Sequence, residues 1–458
     1  MTTAAERKVI QKKFQEHYDP SSKNYDDLLN CMRCGFCLPS CPTYVQSGFK
    51  ETHSPRGRIA LIKGVVDGLI TPDKDVEDTL QHCLGCRACE TVCPSGVKYG
   101  FLLEQARDII NQNKKFSLPV RVLRKAVFEQ LFVKPKVMSN VIGLVGIYQR
   151  TGLKKVVHGL GIMSLFPSTL KHIDNVLPPA PTFKQLKNRP THVMPIGTPK
   201  KRVAFFKGCL MDTVFMETNN STIKLLKLAG CEIVIPETQA CCGALHGHAG
   251  EKEGSKDLAK RNIKAFEDLN VDYIISNAGG CGAFLVDYAH LLHDDAEYAD
   301  RAQAFVDKIM DITKILVQLD FHQLDLRLPE GQEQIITYQD SCHLKNVMKT
   351  WVEPRTLLKA IKGATYIEMN EADRCCGSAG VYNIVEAEMS MKYLDYKMVQ
   401  VRKTDAKTVV TANPGCLLQM KLGIEKEGLS KNMRGVHIVD LLVEASEHLM
   451  ETGNIVTK

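Results

Sequence analysis

Two runs of cysteine carry the clearest chemistry in this chain. Cys31, Cys34, Cys37 and Cys41 precede Pro42, and Cys83, Cys86, Cys89 and Cys93 precede Pro94. Each run is C-x2-C-x2-C-x3-C-P, the thiolate spacing that wraps a cubane iron–sulfur cluster, with the fourth cysteine lent to the other cluster. Three thiolates at a two-residue step on a tight loop reach three corners of one cube, while the fourth points towards a neighbouring cube. The proline then keeps the loop from winding on as helix. The expected ligand sets are Cys31, Cys34, Cys37 and Cys93 for one 4Fe-4S cluster, and Cys83, Cys86, Cys89 and Cys41 for the other. Structural zinc is the competing reading, because paired C-x2-C knuckles also build tetrahedral zinc sites. Zinc needs neither a third cysteine at the same step nor the C-P that follows.

A second constellation recurs further on. Cys209 is followed by Cys241-Cys242-Gly243 and by Cys281, and then Cys342 is followed by Cys375-Cys376-Gly377 and by Cys416. The offsets between copies are 133, 134 and 135 residues, a near-constant period that marks an internal duplication. The glycine after each Cys-Cys pair permits a left-handed backbone that turns both thiols to one ligand. Metal or cluster ligation by each set of four is the preferred reading, against redox-active thiols or a metal-free structural site. Cys231 has no counterpart and reads as a buried core thiol. His246, His248 and His343 lie beside these cysteines, where they would tune a site, join it or serve as hydrogen-bonded neighbours.

The elements that must position these thiols follow from patterning. Residues 1–110 read as a helical ferredoxin module, with a helical period at Ile59, Ile62, Val65, Val66 and Leu69 in the 41-residue spacer between the runs. Such a spacer suits the all-helical ferredoxins fused into larger respiratory complexes. Arg56 and Arg58 in that spacer are read first as surface salt links and second as donors to cluster sulfur. Residues 101–135 are expected to continue as helix with a basic stripe. Val137 to Leu170 reads as a glycine-punctuated amphipathic arm that packs inward, meets a partner or touches a bilayer surface. A stiff, irregular proline-rich linker centred on Leu177-Pro-Pro-Ala-Pro181 closes a segment spanning 111–200. In residues 201–326 and 327–458, strands alternate with helices, as in Val271-Asp-Tyr-Ile-Ile275 before Cys281 and Thr408-Val-Val-Thr-Ala412 before Cys416. The expected fold class is therefore α/β: an N-terminal α-helical module, then two duplicated α/β units with mostly parallel sheets. Their cysteines would gather at the carboxyl ends of the strands.

Composition narrows the function classes. The chain has 458 residues, 44% hydrophobic and 24% charged, with a net charge of +7. That length suits about three domains and the composition is that of a soluble globular protein. Seventeen cysteines in so large a chain, with no apolar signal-like opening, point to metal ligands in a reducing cytoplasm rather than disulfides. No aromatic-basic nucleic-acid module is present. The longest uncharged apolar stretches, Val137 to Gln149 and Val156 to Leu170, fall short of the ~18 residues of a membrane span. No G-x-G-x-x-G, P-loop or acid–base constellation offers bond chemistry, so the expected role is electron relay, with any hydride abstraction left to a flavin on another chain.

These motifs carry a family resemblance. Paired ferredoxin runs followed by two Cys-Cys-Gly units, together with Pro55-Arg-Gly-Arg-Ile59, Cys93-Pro-Ser-Gly96, Gly280-Cys-Gly-Ala-Phe284, Cys375-Cys-Gly-Ser-Ala-Gly380 and Gly415-Cys416, resemble the iron–sulfur subunit of glycolate oxidase (glycolate dehydrogenase) over nearly the whole chain. The resemblance implies two 4Fe-4S clusters, further iron–sulfur clusters as candidates in the Cys-Cys-Gly units, and FAD only on partner subunits. Those flavin-binding subunits would oxidise glycolate and often (R)-lactate. This subunit would pass the electrons to a membrane quinone or other acceptor, from the cytoplasm or the inner face of the cell membrane. The wider family with such units supplies the alternative; it includes heterodisulfide reductases, lactate-utilisation proteins and the iron–sulfur subunit of anaerobic glycerol-3-phosphate dehydrogenase. In the heterodisulfide reductase the last cysteine belongs to a C-x2-C pair. Here the residues three away from Cys281 are Ala278 and Phe284, and those from Cys416 are Asn413 and Gln419, so the five-ligand set is not reproduced.

Overall fold

A computed structural model describes residues 3–161 and 174–452. The end of the expected apolar arm, from residue 162 to Leu170, lies outside the described residues. The protein combines an N-terminal helical module with two sheets, each covered by helices, and the sheets are mostly parallel.

The helical module forms because apolar residues recur at helical spacing and polar residues stop each helix. Helix Ala4–His17 opens on a capping box, with the Thr3 hydroxyl accepting from the Glu6 amide and the Glu6 carboxylate accepting from the Thr3 amide. Helix Pro55–Val66 starts at Ser54, whose hydroxyl caps the Gly57 amide. Its Ile59, Ile62, Val65 and Val66 are buried against Phe14, Tyr18, Leu80, Leu102 and Leu103. Each fully buried side chain of this kind stabilises the fold by about 1.5–3 kcal/mol. Leu69 departs from the expected face: the helix ends at Val66, Gly68 takes φ +76°, and Leu69 is left 80% exposed.

Residues 101–135 are not one helix. Helix Tyr99–Asn113 stops, a new helix Leu118–Arg124 begins, and a π-helical segment Lys125–Leu131 follows. Pro119, in the first turn of the new helix, cannot donate to the ladder of the old one. Helix Pro135–Arg150 buries Met138, Ile142, Gly143 and Gly146, while Leu118, Leu123, Leu144 and Leu160 are exposed. No single helix among the described residues is long and apolar enough to cross a membrane, and Leu118–Leu131 with Pro135–Arg150 reach that length only across a 106° bend. The proline-rich linker is more ordered than expected. It forms helix Phe183–Lys187 and then a short strand, β1 (His192–Val193), that pairs antiparallel with the first sheet.

The first sheet has the order β1-β3-β2-β4-β5, with β2 (Lys201–Phe205), β3 (Cys231–Val234), β4 (Tyr273–Ser276) and β5 (Ile309–Asp311) parallel. The second has the order β7-β6-β8-β9, with β6 (Gln334–Gln339), β7 (Ala364–Tyr366), β8 (Thr408–Thr411) and β9 (Arg434–His437), all parallel. Setting β1 aside, the two orders are the same, which is the structural form of the duplication. One apolar core joins the units: Val203, Phe205 and Ile275 from the first share it with Ile336, Tyr338, Val410 and Leu441 from the second. Cys231 is fully buried in this core, and burial pushes its thiol up to about 12.

Candidate functional site

The ferredoxin loops bring together cysteines that are distant in sequence. Cys41, from the first run, lines one small cavity with Cys83, Cys86 and Cys89 from the second. Arg58, Tyr99, Thr43 and Leu84 complete its wall. Cys31, Cys37 and Cys93 pack against the helical core that also takes in Cys83 and Cys89, and Cys34 is exposed. Both loops depend on left-handed backbone inside the ligand step, at Gly35 (φ +92°) and Gly85 (φ +62°). All seventeen cysteines are free thiols. Among the described residues no three of His, Cys, Asp or Glu converge as ligands of one metal ion would. A thiol-lined cavity is the arrangement a polynuclear cluster needs.

Arg58 is not the surface group the sequence suggested. It is fully buried, with Nε donating to the Thr79 carbonyl (2.8 Å) and Nη1 to the His53 carbonyl (2.8 Å) and the Thr43 hydroxyl (3.0 Å). Helix Pro55–Val66 points it inward, beside Thr43, whose hydroxyl lies 3.1 Å from Cys41 Sγ. Arg56 does make a surface link, to Glu51 at 2.7 Å. The thiols of the cavity therefore differ among themselves: burial raises Cys86 and Cys89, whereas Cys83 lies beside Arg58. Burial would raise the Cys83 thiol, but Arg58, then Arg107 and Tyr99, outweigh it and hold the thiol below its ordinary range. Cys37, in the other set, is pushed up to about 11, chiefly by burial.

The Cys-Cys-Gly units each collect four thiols. Cys209 Sγ lies 3.3 Å from Cys241 Sγ, and Cys242 interacts with both Cys241 and Cys281. In the second unit Cys375 interacts with Cys342 and Cys376, and Cys376 with Cys416. Cys209 and Cys342 follow β2 and β6, while Cys281 and Cys416 sit in the first turn of helices Gly279–Val286 and Pro414–Lys426, which follow β4 and β8. All eight thus lie beyond the carboxyl ends of strands. Gly243 (φ +88°) and Gly377 (φ +91°) make the turns, and a side chain on Gly377 would meet the Ser390 carbonyl at 2.6 Å. Asn413 joins the units: its Oδ1 accepts from the Gly280 amide (2.9 Å), and its Nδ2 lies 3.6 Å from Cys416 Sγ.

The ferredoxin module is seated on the second unit. Cys86 and Leu84 pack with Cys342, Cys375, Tyr382 and Tyr393. Burial first, then Cys342, raises the Cys86 thiol. His343 Nε2 hydrogen-bonds the Gly85 carbonyl (3.0 Å) and Asn346 Nδ2 donates to the Cys86 carbonyl (2.8 Å). Burial, then His248, pushes His343 down to about 3, so it is neutral and Nε2 carries the donated proton. The His248 and His343 rings stack at 5.3 Å. His248 is held by Glu104 (2.9 Å) and His246 by the Phe128 carbonyl (2.7 Å), so these histidines serve as hydrogen-bonded neighbours that dock the modules.

Sequence reasoning missed Tyr99, which carries no motif, and Lys397. Lys397 is fully buried on helix Ala387–Arg402 among Tyr393, Leu394, Met398 and Val401. A charged residue on that apolar stripe was its signal.

Comparison with known proteins agrees with this geometry. A 4Fe-4S dicluster domain model matches residues 27–97, a cysteine-rich domain model matches residues 203–286 and 336–421, and a model of the glycolate oxidase iron–sulfur subunit linker region matches residues 119–177. The chain is 62% identical over 448 residues to a probable glycolate oxidase iron–sulfur subunit of Bacillus subtilis (strain 168), covering 98% of this chain and 99% of that one. It is 32% identical to the glycolate oxidase iron–sulfur subunit of Escherichia coli (strain K12), covering 85% and 89%. A lactate utilization protein A of Exiguobacterium is 30% identical across 53% of this chain and 97% of its own. A solved structure of a hypothetical protein from Helicobacter pylori shares the fold, with a TM-score of 0.51 at 10% identity, covering 96% of this chain and 76% of that one. With its dicluster loops, its paired cysteine-rich units and its full-length likeness to these subunits, the chain belongs to the glycolate oxidase iron–sulfur subunit family.

Proposed function

We propose that this chain relays electrons from a flavin-binding dehydrogenase subunit, which carries FAD and oxidises glycolate and (R)-lactate, to a membrane quinone or other acceptor. The observation that carries this reading is the seating of the Cys83–Cys93 loop on the second cysteine-rich site, with Cys86 against Cys342. Cys31, Cys34, Cys37 and Cys93 would hold one 4Fe-4S cluster, and Cys83, Cys86, Cys89 and Cys41 the other. Cys209, Cys241, Cys242 and Cys281, with Cys342, Cys375, Cys376 and Cys416, are assigned as further cluster sites. When bound, such clusters supply one-electron transfer, which splits the two-electron load of a flavin. The chain's own part is to hold the thiols, exclude water and set the local field.

The corresponding division of the chain is 1–110, 111–200, 201–326 and 327–458, with β1 contributed by the linker to the first sheet. Exposed Leu118, Leu123, Leu144 and Leu160, interleaved with Arg121, Lys125, Lys136 and Lys155, support peripheral contact of the arm with the inner face of a membrane. The lactate-utilisation relatives favour lactate as the second substrate.

The test is anaerobic purification of the chain with and without its flavoprotein partners. The chain alone should show reversible cluster absorbance and no glycolate oxidation. Oxidation by the chain alone would refute the relay reading.

A further inference from the structure

The cavity formed by Cys41, Cys83, Cys86 and Cys89 contains two buried donors that make no hydrogen bond of ordinary geometry and that act on the Cys83 thiol. Arg58 is fully buried and Tyr99 is 4% exposed. Both line the cavity, and Arg58 Nη2 and the Tyr99 hydroxyl have no hydrogen-bond partner. An unsatisfied buried donor costs about 1–3 kcal/mol, more when charged, so two facing the same thiols mark a place built for an acceptor. The remaining Arg58 nitrogens are fixed by Thr79, His53 and Thr43, which leaves Nη2 as the free arm of a rigid fork. Among the described residues the other ferredoxin set has no equivalent. Its neighbouring cation, Arg56, donates Nε and Nη2 to Glu51 and Nη1 to the Arg33 carbonyl.

We propose that Arg58 Nη2 and the Tyr99 hydroxyl donate to sulfur of the cluster held by Cys41, Cys83, Cys86 and Cys89, making it the higher-potential member of the ferredoxin pair. The physical reason is that a reduced cluster carries one more negative charge than the oxidised one. Donors and a fixed cation at its sulfurs therefore favour reduction. The exposed set around Cys34 then acts as the entry point, and electrons settle on the buried cluster that abuts Cys342. This inference rests on the cluster reading above and adds the direction of flow within the module.

The experiment is a redox titration of the full chain, followed by electron paramagnetic resonance, in wild type, Tyr99→Phe and Arg58→Lys. Tyr99→Phe removes one donor while keeping the ring. It should leave iron and sulfide content unchanged and lower the midpoint of the higher-potential ferredoxin cluster alone. The expected shift is about tenfold in the reduction equilibrium, about 59 mV for one electron. Arg58→Lys should shift the same signal in the same direction. Unmoved midpoints in Tyr99→Phe at full cluster content, or a shift of the lower-potential cluster, would overturn the proposal. An iron-free wild-type chain would overturn the cluster reading itself, which separates the two failures.

Discussion

Arg87 is predicted to act as the clamp between the ferredoxin module and the first cysteine-rich unit. It lies in the second ligand loop, between Cys86 and Cys89, with a side chain only 12% exposed. Nε and Nη2 donate to the two oxygens of Glu90, both at 3.0 Å, and Nη1 donates to Asp287 at 2.6 Å. The guanidinium also stands 4.9 Å from the Phe101 ring centroid. Even beside this cation, burial pushes Asp287 up to about 6. Replacing Arg87 by Gln leaves two carboxylates in a shielded interface without their counter-charge. Breaking a buried pair from one side costs about 3–5 kcal/mol, and the partial exposure of Asp287, 17% at its side chain, places the cost at about 3. At 1.4 kcal/mol per tenfold, the opened interface becomes roughly a hundredfold more populated. Water and oxygen would then reach the Cys86 and Cys89 thiols. The assay is the rate at which cluster absorbance bleaches in air for wild type, Arg87→Gln and Arg87→Gln with Asp287→Asn. The single variant should bleach about a hundredfold faster, and the double variant should recover most of the loss because the stranded charge is gone. Bleaching of Arg87→Gln at the wild-type rate, or a double variant no slower than the single, would refute the clamp.

Other outcomes follow from the same geometry. Cys41→Ser should lose the cluster associated with Cys83, Cys86 and Cys89 and leave the signal of the Cys31 set, while Cys34→Ser should do the reverse, as read by iron content and electron paramagnetic resonance. Gly377→Ala should destabilise the second cysteine-rich unit by about 1–3 kcal/mol, because the left-handed backbone and the 2.6 Å approach of the Ser390 carbonyl both oppose a side chain; urea titration would read it. Asp311 caps helix Ile312–Gln318 by accepting from the Thr313 amide, and burial raises it from 3.8 to about 6. Because the native value is the higher one, stability is greatest below pH 4 and falls as pH rises through 6, by at most about 3 kcal/mol at 1.36 kcal/mol per unit. Asp311→Asn should keep the cap and flatten that decline in urea midpoints measured between pH 4 and 6.5.

What the sequence made legible was what neighbouring residues decide. A ligand loop is local: the step from Cys31 to Cys41 and from Cys83 to Cys93 sets the turns that pass through left-handed Gly35 and Gly85. The strand–helix alternation of the two units was legible for the same reason, since a short apolar run before each cysteine dictates its strand. Arg58 was not, because its burial is decided by carbonyls of Thr79 and His53 and a hydroxyl of Thr43, brought in by other helices. Leu69 continued the apolar period on paper, yet Gly68 ended the helix first. His192–Val193 was hidden because two residues carry no period of their own; only the open edge of β3 makes them a strand. Pro119 was a stop signal, masked by the basic stripe around it.

Duplication repeated the backbone but not the field around the thiols. Asn262 and Lys397 lie 135 positions apart, the same offset that relates Cys281 to Cys416, each on the second helix after its Cys-Cys-Gly turn. In the first unit Asn262 is neutral. It accepts from the Ala240 amide and donates to the Cys241 carbonyl and to Tyr288, whose hydroxyl in turn donates to the Cys242 carbonyl. In the second unit Lys397 donates to the Glu371 carbonyl at 2.6 Å and faces Cys376 and Cys375. The difference follows from where each site sits. The first unit's thiols act chiefly on one another, whereas the second unit's Cys342 also meets Cys86 of the ferredoxin module. Two anionic thiolate sets brought against each other in a buried interface repel, and the repulsion grows as water is excluded. Lys397 on one side, with Arg58 and Arg107 on the other, supplies the opposing charge. An uncharged polar side chain serves the first site, and a buried lysine stands at the matching position where the chain stacks one set of sulfurs on another.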